Sequence, residues 1–218
     1  MSQSPPPPEA PQDCPLCPRL KAFRQANRIS NPEWFNNPVP SFGASNANLI
    51  VVGLAPGLKG ANRTGRPFTG DYAGDLLYAS LQKYGFAKGR YEASIEDNLK
   101  LHHCIISNAV RCVPPANKPT TLEIKNCRPF LRSRLSTLPK LKAILALGRI
   151  AHEQTLAALS IKPSLYKFAH GAQHSLKDNL TLFDSYHCSR YNTNTGRLTP
   201  QMFEEILGEI RSYLNNLG

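Results

Sequence analysis

Four short runs of branched apolar residues constrain the fold of this chain most. They are Asn48-Leu-Ile-Val-Val-Gly53, Cys104-Ile-Ile-Ser-Asn-Ala-Val110, Leu141-Lys-Ala-Ile-Leu-Ala-Leu-Gly148 and Leu180-Thr-Leu-Phe183. Runs this short and this continuous fit strands covered on both faces. Helical spacing lies between and after them. Leu76, Leu77, Leu81 and Tyr84 share one face. Thr120-Thr-Leu-Glu123 reads as a capping box for a helix with Cys127, Phe130, Leu131 and Leu135 inward. Thr199-Pro200 supplies an N-cap and a first-turn proline for a last helix carrying Phe203, Ile206, Leu207, Ile210 and Leu214. Strands alternating with helices predict an α/β protein: a three-layer α/β/α sandwich around a central, mostly parallel four-stranded sheet. Working residues in such folds sit beyond the carboxyl ends of the strands. Here that means Gly53 onward, Asn108 onward and His187 onward.

The ends of the chain set the domain reading. Pro5 to Pro8 are four consecutive prolines, which fit an extended, solvated tail. The segment 1–13 is therefore expected to be a disordered proline-rich tail, and 14–218 a single domain. No run approaches the roughly 20 apolar residues that cross a bilayer, and the N-terminus has no secretion-signal pattern. A cytoplasmic setting and a monomer without membrane contact are expected. With 26 Lys and Arg against 15 Asp and Glu, the formal charge is +11. That favours a polyanionic partner, nucleic acid first.

The loop Gly53–Asp71 far exceeds the usual length of about 2–6 residues after a strand. It offers glycines for close backbone approach, one aromatic (Phe68), two arginines (Arg63, Arg66) and an acid (Asp71). It matches neither a Walker A loop nor GxGxxG. The segment His187–Arg197 is polar and basic, and also carries one aromatic, Tyr191.

Six cysteines without an export signal point to thiols or ligands rather than disulfides. Cys14, Cys17, Cys112 and Cys127 form C-x₂-C…C-x₁₄-C, a thiolate set that suits zinc or an iron–sulfur cluster. The wide second pair tilts toward a cluster, since a zinc knuckle normally uses C-x₂₋₄-C. Cys104 reads as strand core.

Two motifs carry a resemblance. Gly53-Leu-Ala-Pro-Gly57 with Asn62-Arg-Thr-Gly-Arg66 and Phe68-Thr-Gly-Asp71 resembles the first motif of the family 5 (type B) uracil-DNA glycosylases. His187-Cys-Ser189 with Asn192-Thr-Asn-Thr-Gly-Arg197 resembles their second, and the four cysteines match as well. The sister family 4 enzymes typically carry Gly-Glu-Ala-Pro-Gly and lack an acid at the position of Asp71, so Leu54 and Asp71 side with family 5. Where that family often has proline, this chain has Cys188.

The resemblance implies a base-excision repair enzyme that hydrolyses the N-glycosidic bond of uracil in DNA and leaves an abasic site. Its action extends to deaminated purines such as hypoxanthine. It implies a flipped base held by Gly53, Leu54, Ala55, Pro56, Gly57, Phe68 and Asn108, with Phe68 as stacking platform and Asn108 reading the base edge. Asp71, His187 and Asn108 would be catalytic. Arg63, Arg66, Ser189, Arg190, Tyr191, Asn192, Thr193 and Arg197 would contact DNA, double-stranded or single-stranded, in a nucleoid-associated bacterial or archaeal setting. Lys59 is a further phosphate contact. Arg190 or Tyr191 would fill the gap left by the extruded base. Arg19, Lys21 and Arg111 would lie near the DNA face. The cysteines would hold a structural [4Fe–4S] cluster, with zinc as the alternative metal. Two competing readings are a non-catalytic iron–sulfur nucleic-acid-binding protein and a uracil-specific family 4 enzyme.

Overall fold

In a computed structural model, residues 8–217 are described. The four core strands are β2 (Leu49–Gly53), β5 (Cys104–Asn108), β6 (Ala143–Leu147) and β8 (Thr181–Ser185). They run parallel in the order β5-β2-β6-β8, and every residue of each is buried. The sheet has six strands, not the four expected. Two short antiparallel strands, β1 (Phe42–Gly43) and β7 (Gln173–Ser175), pair on its edges. Neither could be read from apolar patterning, because one is two residues long and the other is polar. A separate two-stranded ribbon joins β3 (Ala87–Lys88) to β4 (Lys100–Leu101).

Strand geometry sends alternate side chains to opposite faces, and two core clusters follow. On one face Leu49, Val51, Ile106, Leu145 and Phe183 meet α3 (Tyr72–Lys83) and α7 (Pro200–Asn215). On the other, Ile50, Val52, Ile105, Ile144 and Leu182 meet α4 (Thr121–Ser136) and α5 (Arg149–Ala158). Both expected helix starts form as read. Thr120 and Glu123 make the reciprocal capping box, and Thr199 accepts from the Met202 amide. Among the described residues no helix is long and apolar enough to cross a membrane.

Part of the expected tail is tied down. Residues 1–7 lie outside the described residues, but Glu9 pairs with Arg111 and Arg134 and accepts from the Ser41 amide at 3.0 Å. The ordered chain thus extends upstream of Cys14, because a carboxylate there neutralises Arg111, only 1% exposed. Arg111 is consequently not a surface group near DNA. Arg19 is engaged as well, in a two-point pair with Glu123 that joins α1 (Pro18–Ser30) to α4.

Candidate active site

The loops leaving β2, β5 and β8 surround one cavity of about 610 Å³. Leu54, Ala55, Pro56, Gly57, Phe68 and Asp71 line it from the first loop, Asn108 from the end of β5, and His187, Ser189 and Arg190 from the third. Gly53 lies beneath them. A Cβ there would overlap Asn108 Oδ1 and come within 2.7 Å of Phe68 Cζ, so glycine is what lets these two side chains converge. Asn108 is buried, and its Oδ1 has no partner in the protein. A buried acceptor without a partner costs on the order of 1–3 kcal/mol, which points to a ligand donor.

Phe68 is held in an unusual backbone state, with φ of 53°. Its carbonyl accepts from the Tyr91 hydroxyl at 3.2 Å, and the carbonyl of Pro67 accepts from Tyr78 at 2.6 Å. The Phe68 ring lies 5.8 Å from that of His187, stacked at 29°. Platform and histidine therefore face one slot from opposite loops.

Arg66 corrects an expectation. Its side chain is 6% exposed and forms a bidentate pair with Asp97 at 2.7 and 2.6 Å. Phe42, Tyr78 and Tyr91 surround its guanidinium at 5.0 to 5.8 Å. Against the upward push of burial, Arg66 holds the Asp97 carboxyl below its ordinary value. This arginine braces the Phe68 loop and is not free to meet a phosphate. Removing one partner of a buried pair strands the other charge. Asp97→Ala is therefore expected to lower unfolding free energy by about 3–5 kcal/mol, measured by urea denaturation. Loss of less than 1 kcal/mol would rule out this bracing role.

Asp71 occupies two roles at once. It is the N-cap of α3, accepting from the Gly74 amide at 3.3 Å, and it lines the cavity. Gly60 and Gly57 press against its carboxylate; a Cβ on Gly60 would overlap Oδ2, and one on Gly57 would lie 3.0 Å away. Burial raises its pKa, opposed in part by the Gly74 and Ala73 amides. His187 opens onto the cavity but is otherwise packed. Burial pushes its pKa down to about 4, so the imidazole is neutral at physiological pH.

The second loop is anchored to the first. Cys188 is fully buried, and its thiol donates to the Ala73 carbonyl at 3.4 Å, directly behind the Asp71 cap. Its departure from proline thus places a packing contact there. Ser189 caps α6 (Arg190–Asn194), and Asn192 Nδ2 donates to the His187 carbonyl at 2.8 Å. Arg190 lies over Tyr72 at 5.3 Å and Arg197 over Tyr186 at 4.5 Å. Tyr191, next in sequence to Arg190, is 72% exposed. Lys59, Arg63, Arg190 and Arg197 are exposed; Lys59 and Arg190 line the cavity, as Ser189 does, while Arg63, Tyr191, Asn192, Thr193 and Arg197 are outside its lining. Sequence reasoning missed Asn117, which lines the cavity from a turn with φ of 56°, and Tyr72. Pro114-Pro-Ala-Asn117 carried a turn signal, but nothing in it pointed to the cavity.

The four cysteines Cys14, Cys17, Cys112 and Cys127 surround one small recess with Leu20, Arg24 and Phe130. Arg24 Nη1 donates to Cys112 Sγ at 2.9 Å, and the Arg111 amide to Cys127 Sγ at 3.2 Å. All four are buried and none forms a disulfide.

An α/β/α sheet whose strand ends carry a cavity lined by an aromatic platform, a buried amide, an acid and a histidine fits the class of proteins that take a flat, polar ring such as a nucleobase into a pocket. The model of the Uracil DNA glycosylase superfamily matches residues 40–211. A type-5 uracil-DNA glycosylase of Thermus thermophilus is 43% identical over 203 residues, covering 91% of this chain and 92% of the relative. One from Mycobacterium tuberculosis is 37% identical over 210 residues, 91% of this chain and 77% of the relative. A type-4 enzyme of Archaeoglobus fulgidus reaches 33% over 116 residues, 53% of this chain and 50% of its own length. The chain belongs to the uracil-DNA glycosylase superfamily, and within it to the type-5 family.

Proposed function

We propose that the chain hydrolyses the N-glycosidic bond of uracil in DNA, leaving an abasic site, and extends this action to hypoxanthine. The observation that carries the reading is the convergence of Phe68, Asn108, Asp71 and His187 on one cavity from three loops. A base turned out of the stack would lie on Phe68. The free Oδ1 of Asn108 would accept from uracil N3–H, and its Nδ2 would donate to O4. As the C1′–N1 bond breaks, the electron pair leaves with the base. Neutral His187 donates a hydrogen bond to O2 as that oxygen gains charge. The Asp71 carboxylate stabilises the cationic sugar and orients the water whose oxygen bonds to C1′; the proton that water loses is taken by Asp71 and ends on the departing uracil anion. Lys59, Arg63, Arg190 and Arg197 supply phosphate contacts, which would make binding weaken steeply with salt. Exposed Tyr191 fills the gap in the duplex. A pure binding module needs neither the acid nor the histidine, so the enzymatic reading is preferred.

Single-turnover excision on duplexes carrying uracil, hypoxanthine or xanthine tests this. Release of uracil with an alkali-labile abasic site is expected, with slower release of hypoxanthine. Binding without any release would overturn the proposal.

The cysteine recess suits a structural [4Fe–4S] cluster, because the second pair, Cys112 and Cys127, is too widely spaced for a zinc knuckle of the C-x₂₋₄-C kind. The apolar lining and the N–H donors from Arg24 and Arg111 suit a cluster's sulfurs. Bound there, the group would pin the N-terminal segment to the loop after β5 and the start of α4. Protein purified without oxygen is expected to be brown with four irons per chain; stoichiometric zinc without iron would sink the assignment.

A further inference from the structure

A second cluster of ligand-type side chains lies away from the cavity, on the α5 face of the sheet. Asp184 of β8 has a side chain with 0% exposure, and a buried carboxylate needs a compensating positive charge. Among the described residues no Lys or Arg pairs with it. Its partners are two imidazoles: His152 Nδ1 of α5 at 2.8 Å from Oδ1, and His174 Nε2 of β7 at 3.1 Å from Oδ2. The other nitrogen of His152, Nε2, lies 3.0 Å from the Tyr166 carbonyl. A carbonyl only accepts, so Nε2 carries the hydrogen. Nδ1 then faces a carboxylate oxygen, a position that a proton fills in the metal-free protein and that a metal ion can take in its place.

We propose that His152, His174 and Asp184 bind a zinc-class divalent cation. The three ligand atoms lie within 4.8 Å of one another. Zinc bonds to N and O of about 2.0–2.2 Å set ligand separations near 3.3 Å, so the observed spacings need open by only a few tenths of an ångström. Imidazole with carboxylate suits zinc and its neighbours, whereas magnesium and calcium take all-oxygen shells. The Nε2–H of His152 on a backbone carbonyl is the outer-shell contact that fixes a ligating histidine's tautomer and orientation. His152 is 1% exposed and His174 13%, so the site is walled on one side and reachable from solvent on the other. Three protein ligands leave a fourth position for water.

The ion would tie α5 to the β7–β8 pair, and the consequence reaches the second motif. The Gly171 amide donates to the Asp184 carbonyl at 2.9 Å, and the Tyr186 amide donates to His170 Nδ1 at 3.1 Å. The His170 ring stacks on Tyr186 at 4.9 Å, with Arg197 on Tyr186 as well at 4.5 Å. Tyr186 adjoins His187. A cation at this site would stiffen the shelf beneath that histidine.

The test compares the full chain with His174→Gln after equilibration in zinc chloride and desalting, counting zinc and iron by mass spectrometry. Wild type should retain one more zinc per chain. Zinc should also raise the wild-type Tm by a few degrees and leave His174→Gln unmoved. Cadmium-113 resonance of the wild type supplies a reading that needs no variant, with a signal expected in the nitrogen–oxygen range. Equal zinc counts in the two proteins, or a cadmium signal confined to the thiolate range, would overturn the proposal.

Discussion

Asp71→Asn is expected to lower single-turnover excision of uracil at least tenfold, and on the order of 10²–10³-fold if the carboxylate acts on the transition-state charge. The same change should leave stability at pH 7 unchanged or raised. The two halves separate the two jobs of Asp71. As N-cap of α3 it accepts from the Gly74 amide, and asparagine caps as well as aspartate. As a carboxylate it is crowded by Gly57 and Gly60, and burial lifts its pKa above the ordinary 3.8. A raised acid is neutral at no cost below its unfolded pKa, but the folded state loses stability as pH climbs through the folded pKa. Wild type carries that cost at neutral pH and the asparagine variant does not. Thermal melts at pH 7, paired with excision rates, read both. Excision should also fall as wild type is acidified through the raised pKa of Asp71, an acid limb the variant lacks. Full activity in Asp71→Asn would remove the chemical role; lost activity with a lower Tm would reduce it to a cap.

The core strands were legible because strands buried on both faces must be continuously apolar, and Leu49–Gly53 and Ala143–Leu147 carry that mark. The edge strands were not, since two residues and a polar triplet hold no period. The site's first two motifs stood out as loops too long and too glycine-rich for mere connections, and the cavity gathers residues from both. What failed was the fate of individual charges. Arg66 reads as a phosphate contact until Asp97, thirty-one residues on, closes on it within a ring of aromatics. Asn62, quoted in the first motif without a role, is fully buried and donates to Asn36 Oδ1 at 2.8 Å. Glu9 sits in a segment whose composition reads as tail, and its pairing with Arg111 is a long-range contact with no local signature. Charge satisfaction across distant segments is decided by tertiary packing, so motif reading alone assigns such residues to the solvent. The same limit hid His152, His174 and Asp184, three unremarkable positions that the sheet and α5 bring together.

His187→Ala is expected to cut excision by a comparable 10²–10³-fold, and to alter the acid response of stability in the opposite sense from Asp71. The imidazole faces the cavity across from Phe68, and its folded pKa of about 4 sits below the ordinary 6.5 because burial disfavours the charged ring. Below about pH 6.5 the unfolded chain takes up a proton that the folded chain refuses, so wild-type stability declines as pH falls from 6.5 toward 4. Alanine removes this slope. Urea denaturation at pH 7, 5.5 and 4.5 should therefore show a smaller stability loss on acidification for His187→Ala than for wild type. A low pKa is also what the proposed chemistry asks for. A neutral ring whose N–H meets uracil O2 is most useful when charge develops there, whereas an imidazolium would bury a positive charge that burial already disfavours. Because Asn192 holds the His187 carbonyl and Cys188 holds Ala73, the loop itself should survive the substitution. Unchanged excision in a folded His187→Ala protein would move leaving-group stabilisation to another residue, with Asn108 next in line by position. An unaltered acid slope alongside lost activity would instead mean that the ring is hydrated in the free enzyme and dries only when the base enters.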